Sequence, residues 1–90
     1  MEGLSDILSR CLYKCQTAQS VEDSVRIRLI NSAKRLWVDA VRQLSMANRP
    51  DRRAFAIKMR KQISMFSIDN SFEDIREAIL PLLKQAPNVD

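Results

Sequence analysis

Arg28, Arg35 and Arg42 recur at intervals of seven, and Arg49 continues the series. On a helix, seven residues rise about 10.5 Å and return to within ~20° of the starting direction. The outcome is a row of guanidinium groups along one face. Arg53 and Arg60 repeat the spacing further on, with Lys34 and Lys61 on the flanks. Guanidinium is planar, permanently charged and weakly hydrated, and its fork meets two phosphate oxygens at once. The chemistry such rows can perform is the binding of a polyanion.

The charge around them points the same way. From Ser24 to Lys61 there are eleven basic side chains against Asp39 and Asp51, an excess of +9. The rest of the 90 residues carry −5, which leaves the net +4. Solubility alone needs only mixed signs, and an ordinary solvated helix intersperses acids among its bases to gain i,i+4 pairs. Here no acid lies between Ser24 and Val38. Segregation of this kind is the electrostatic footprint of a protein that lies against a polyanion.

Other chemistries find little support. There is no His and a single Gly, so neither a nucleophile–base pair nor a phosphate-cradling loop can be assembled, and no enzyme is expected. Cys11 and Cys15 share a helix face with Leu8 and Leu12. Two thiolates are half of a zinc ligand set, and the pair reads as small buried hydrophobes in a reducing compartment. No metal or other cofactor is expected. The longest apolar run, Ala78 to Leu83, contains Pro81 and is six residues long, too short to span a bilayer. Nothing at the start resembles a secretory signal. A soluble chain acting in the cytoplasm, without a membrane partner, is the expectation.

The elements that must position the arginines are helical: one Gly, three Pro and no strand-like runs make an all-α domain over residues 1–90, ordered from about 4 to 85, with a frayed tail from Ala86 to Asp90. Leu4, Ile7, Leu8, Cys11, Leu12 and Cys15 set a first helix from about Ser5, as N-cap, to Ala18. A long second helix should start at Ser20, with Asp23 completing a capping box, and end near Asn48, because Pro50 disfavours helical geometry at Arg49. Its core face reads as Leu29, Ala33, Leu36, Ala40, Leu44 and Ala47, over about 39 Å of rise. A third helix should open at Pro50 and run to Phe66 through Phe55, Met59 and Ile63. Ser67 to Asn70 is a turn. Ser71 and Asp74 cap a fourth helix through Ile75, Ile79 and Leu82, which Pro81 should bend or interrupt.

A second apolar strip on the long helix, Ile27, Ile30, Val38, Val41 and Met46, exceeds what one layer of short helices can cover. A two-fold partner would cover it and set two arginine rows on one surface. The expected architecture is therefore three to four helices in an antiparallel homodimeric bundle, with Ile30, Trp37, Val38 and Val41 at the interface.

A straight helix with evenly spaced arginines tracks phosphates, whereas base readers place Arg, Asn or Gln at the tip of a short recognition helix. Double-stranded RNA, whose major groove excludes side chains, is bound through phosphates and 2′-hydroxyls across minor grooves. Single-strand binders need aromatic platforms, and the aromatics here fall mostly at core positions. The RNA-contacting set is read as Arg28, Lys34, Arg35, Arg42, Arg49, Arg53, Arg60 and Lys61. The alternative is a helical interaction or regulatory module docking an acidic protein.

In layout and charge the chain resembles the small RNA-silencing suppressors encoded by insect nodaviruses. The similar stretch runs from Leu4 to Leu83: the helix to Ala18, Ser20 to Ala47, the break at Asn48-Arg49-Pro50, then Ala54-Phe55-Ala56, and Phe72 to Leu83. The resemblance implies an antiparallel dimer whose four-helix face lies along A-form RNA. It also implies shielding of viral double-stranded RNA from dicing in the host cytoplasm and sequestration of small interfering RNA, without sequence preference. By position it implies RNA contact at Lys34, Arg35 and Arg42, with Arg49 at the end. After Pro50 the chain departs from that layout, because Arg52, Arg53, Lys58, Arg60 and Lys61 make the segment far more basic.

Overall fold

The computed structural model describes residues 3–86, and every regular element among them is helical. The helices are α1 (Leu4–Thr17), α2 (Asp23–Ser45), α3 (Pro50–Arg60) and α4 (Phe72–Gln85). Single 3-10 turns at Ala18–Ser20 and Ile63–Met65 follow α1 and α3. The all-α expectation holds, with four helices. Short connections make sequence neighbours antiparallel. α2 packs against α1 on one side and α3 on the other, and α4 packs against α1. Lys58 Nζ donates to Gln85 Oε1 at 3.4 Å and links α3 to α4. The Cα envelope measures 41 × 23 × 17 Å.

Helix ends follow local chemistry, with four differences from the sequence reading. α1 starts at Leu4, which is buried, so Gly3 rather than Ser5 occupies the N-cap. α2 starts later than Ser20. Arg26 Nε donates to the Ala18 carbonyl at 3.1 Å and its guanidinium lies 3.7 Å from Asp23, which ties the corner and leaves Glu22 as N-cap. At the other end α2 stops at Ser45, and its 23 residues give a rod of about 35 Å. α3 opens on Pro50 with Arg49 extended, as proline requires, but it ends at Arg60 rather than Phe66. In α4, Ser71 Oγ accepts the Asp74 N–H at 3.2 Å, as the capping pattern predicts. Pro81 does not interrupt that helix. It lies on the exposed face together with Glu77, so the carbonyl whose partner it removes opens to water. Of the tail expected to fray, Ala86 donates its N–H to the Leu83 carbonyl, and residues 87–90 lie outside the described residues.

The core is wholly apolar; no polar or charged side chain is buried among the described residues. Ala33 and Ala40 keep the α2 surface low, so α1 comes close enough for the Cys11 thiol to approach the Ala33 carbonyl at 3.4 Å. Trp37, fully buried, donates its indole N–H to the Met59 carbonyl at 2.6 Å and tilts against Phe66 with ring centroids 5.2 Å apart. This explains the early end of α3. A helix continued to Phe66 would carry that ring along its own axis, about 10.5 Å beyond Met59. Ending at Arg60 lets the chain fold Phe66 back onto Trp37.

The core face of α2 is therefore rotated from the one read in the sequence. Ile30, Ala33, Trp37, Ala40, Val41 and Leu44 are buried, while Leu29 and Leu36 are only partly covered. Ile30, Trp37 and Val41, assigned above to a subunit interface, belong to the core of a single chain in this fold. Val38 is half-buried, and Ile27 and Met46 remain exposed.

Two predictions follow from this core. Trp37→Phe removes the indole hydrogen bond and leaves a gap beside Met59, so stability should fall by about 2–4 kcal/mol. Urea unfolding followed by far-UV circular dichroism reads this, and an unchanged midpoint would contradict it. The second concerns the thiols. Burial pushes Cys15 up to about 11, and burial together with the adjacent Cys15 pushes Cys11 up to about 12, from an ordinary 9.0. The folded chain thus holds its thiol protons more tightly than the unfolded chain, and this contribution is fully present below pH 9 and is lost as pH rises through 11 and 12. Between about pH 8 and about pH 10.5 the protein should lose more stability than its Cys11→Ala/Cys15→Ala variant; equal losses would contradict the assignment.

Candidate nucleic-acid interface

Two contacts fix the orientation of α2. Ala33 meets α1 through Cys11, and Trp37 meets α3 through Met59. Stepping round the helix at about 100° per residue, Val41 lies beyond Trp37, then Lys34, then Val38, then the arginine row. Arg28, Arg35 and Arg42 thus point away from the core, and all three are exposed. Lys34 and Val38 fill the flank between that row and α3. A shallow groove of about 390 Å³ runs along this face, lined by Asn31, Lys34, Arg35, Val38, Asp39 and Arg42.

α3 buries Phe55, Ala56 and Met59. Its opposite side presents Arg53, Ile57 and Arg60, with Lys61 capping the C-terminus, all exposed. From this side Arg53 reaches back to the end of α2, where its guanidinium meets the Ala47 carbonyl. Arg49, also exposed, stands where the two helices turn into each other.

The cations are not equivalent. Arg53 Nη1 donates to the Ala47 carbonyl at 2.9 Å and closes the end of α2. Arg42 lies 3.8 Å from Asp39, and Arg49 lies 3.6 Å from Asp51. Both pairs are exposed, so each is worth only about 0–1 kcal/mol and yields readily to a stronger anion. The side chains of Arg28, Lys34, Arg35, Arg60 and Lys61 make no hydrogen bond or ion pair with other described residues. All eight cations read from the sequence as RNA-contacting are exposed, and Arg26, equally basic on paper, is engaged at the α1–α2 corner.

Sequence reading missed the place of Asn31 and Asp39 in the groove and of Ile57, 58% exposed, on the basic side of α3. The signal was available for the first two, since both fall within four residues of Arg35. Tyr13, on α1, is the exposed aromatic; Trp37, Phe55 and Phe66 are buried. The arginine surface therefore presents no stacking platform. Among the described residues no cluster of His, Cys, Asp and Glu is arranged to hold a metal ion, and no helix is long and apolar enough to cross a membrane.

No protein-family model, no curated protein and no solved structure matches this chain.

Proposed function

We propose that the chain binds double-stranded RNA without sequence preference and so suppresses host RNA silencing in the cytoplasm, shielding duplexes from dicing and sequestering small interfering RNA. The observation that carries this reading is the row of exposed arginines on the outer face of the 23-residue α2, where the side chains of Arg28 and Arg35, with Lys34 on the flank, make no hydrogen bond or ion pair with other described residues. Evenly spaced guanidinium groups with no aromatic platform suit phosphates on a regular helix, and A-form RNA offers them across a wide, shallow minor groove. The resemblance in layout to nodaviral silencing suppressors supports the same reading. Pairing of two copies belongs to the proposal as a way to lengthen the basic surface, with exposed Ile27 and half-buried Val38 among the apolar side chains of α2 that a partner would cover.

A second reading, a module docking an acidic protein, is favoured by one observation. Ile57 stands exposed between Arg53 and Arg60, where an apolar anchor on a partner would be accommodated.

Fluorescence anisotropy separates the two. An RNA duplex of about 22 base pairs should stay bound at near-physiological salt, while the same-sequence DNA loses affinity. Arg35→Ala should weaken binding to every RNA sequence alike and reduce the salt slope by about 1. Equal, salt-abolished binding to RNA and DNA would overturn the RNA reading in favour of a protein partner.

A further inference from the structure

Asp39 is an anion on this cationic surface, between Arg35 and Arg42 along α2. It lies four residues after Arg35 and three before Arg42, and it lines the groove with Asn31, Lys34 and Val38. It is the only acid between Ser24 and Ser45, and it sits on the outer face rather than among the core positions. An exposed carboxylate there opposes phosphate binding. Its pairing with Arg42 does not account for it: the separation is 3.8 Å and the side chains are 70% and 63% exposed, a kind of contact that adds little to stability.

A carboxylate has one capacity that the surrounding cations lack, because it only accepts hydrogen bonds. Along its minor groove, duplex RNA offers a donor at every nucleotide that DNA does not have, the ribose 2′-hydroxyl. We infer that Asp39 is the specificity-determining residue of the groove, accepting a hydrogen bond from a ribose 2′-hydroxyl while Arg35 and Arg42 hold phosphates on either side. This rests on the RNA reading above and goes further, since it assigns RNA-over-DNA selection to one acceptor as well as to duplex shape. In the unbound protein the Arg42 guanidinium lies 3.8 Å from Asp39, and in the complex it can turn to a phosphate.

The test separates the hydroxyl from the helix form. An RNA duplex is compared with a fully 2′-fluoro duplex of the same sequence, which keeps the A-form and lacks the donor, for the unaltered protein, Asp39→Asn and Asp39→Ala. Asp39 is exposed, so both variants should fold, and circular dichroism checks this. The unaltered protein should prefer the hydroxyl duplex by about tenfold, the size of one charge-assisted hydrogen bond. Asp39→Ala should bind the two duplexes within about twofold of each other, with affinity for the fluoro duplex raised by removal of the repulsion. Asp39→Asn should keep part of the preference, because its amide oxygen still accepts. If Asp39→Ala retains the full preference, or strengthens binding to both duplexes by the same factor, Asp39 is a repulsive charge only and the inference fails while the RNA reading stands. If the unaltered protein binds neither duplex at near-physiological salt, the RNA reading itself fails and takes this inference with it.

Discussion

The hydrogen bond from the Trp37 indole to the Met59 carbonyl, 2.6 Å long and fully buried, is the constraint on which the rest of the structure depends. An indole N–H removed from water must find an acceptor, since leaving it unmade would cost about 1–3 kcal/mol. A carbonyl at the end of α3 supplies one. That pairing sets how far α3 runs, where the chain turns, and why Phe66 returns to lie 5.2 Å from the indole. It also fixes the rotation of α2 about its own axis. With Trp37 pointed inward, the row at Arg28, Arg35 and Arg42 is carried to the far side of the helix.

The charges then sort by task. Acids collect at helix starts: Asp23 on α2, Asp51 on α3, and Glu73 and Asp74 on α4, where the exposed N–H groups of a helix favour negative charge. Two arginines act as fasteners, Arg26 on the Ala18 carbonyl and Arg53 on the Ala47 carbonyl, each closing the end of a preceding element. Along the outer faces of α2 and α3, the side chains of Arg28, Lys34, Arg35, Arg60 and Lys61 make no such contact with other described residues. Asp39, the one acid of α2 beyond its first turn, stands out among these cations.

Much of this was legible beforehand. The apolar period of α1, the proline start of α3 and the Ser71–Asp74 cap of α4 each rest on local chemistry, and each appears where local chemistry puts it. The core face of α2 could not be read in that way. The set Leu29, Leu36 and Ala47 and the set Ile30, Trp37 and Val41 are adjacent strips of similar hydropathy, and periodicity alone does not say which turns inward. The choice is made by a contact between residues 22 apart in sequence, Trp37 and Met59. The same contact ends α3 at Arg60 against an otherwise acceptable helical run. Pro81 shows the converse case. Its helix-breaking character is real, but the face on which it falls exposes the affected carbonyl to water. In the candidate site the arginine row was visible as spacing, whereas the engagement of Arg53 and the setting of Asp39 required the fold.

RNA should meet the surface of α2 that Trp37 directs outward. Amide shift mapping by NMR during titration with a duplex RNA addresses this directly. Shifts should concentrate on the outer face of α2 around Arg28, Arg35, Asp39 and Arg42 and continue onto α3 at Arg60 and Lys61, leaving the outer faces of α1 and α4 unchanged. Shifts confined to α1 and α4, or none at a near-physiological salt concentration, would contradict it.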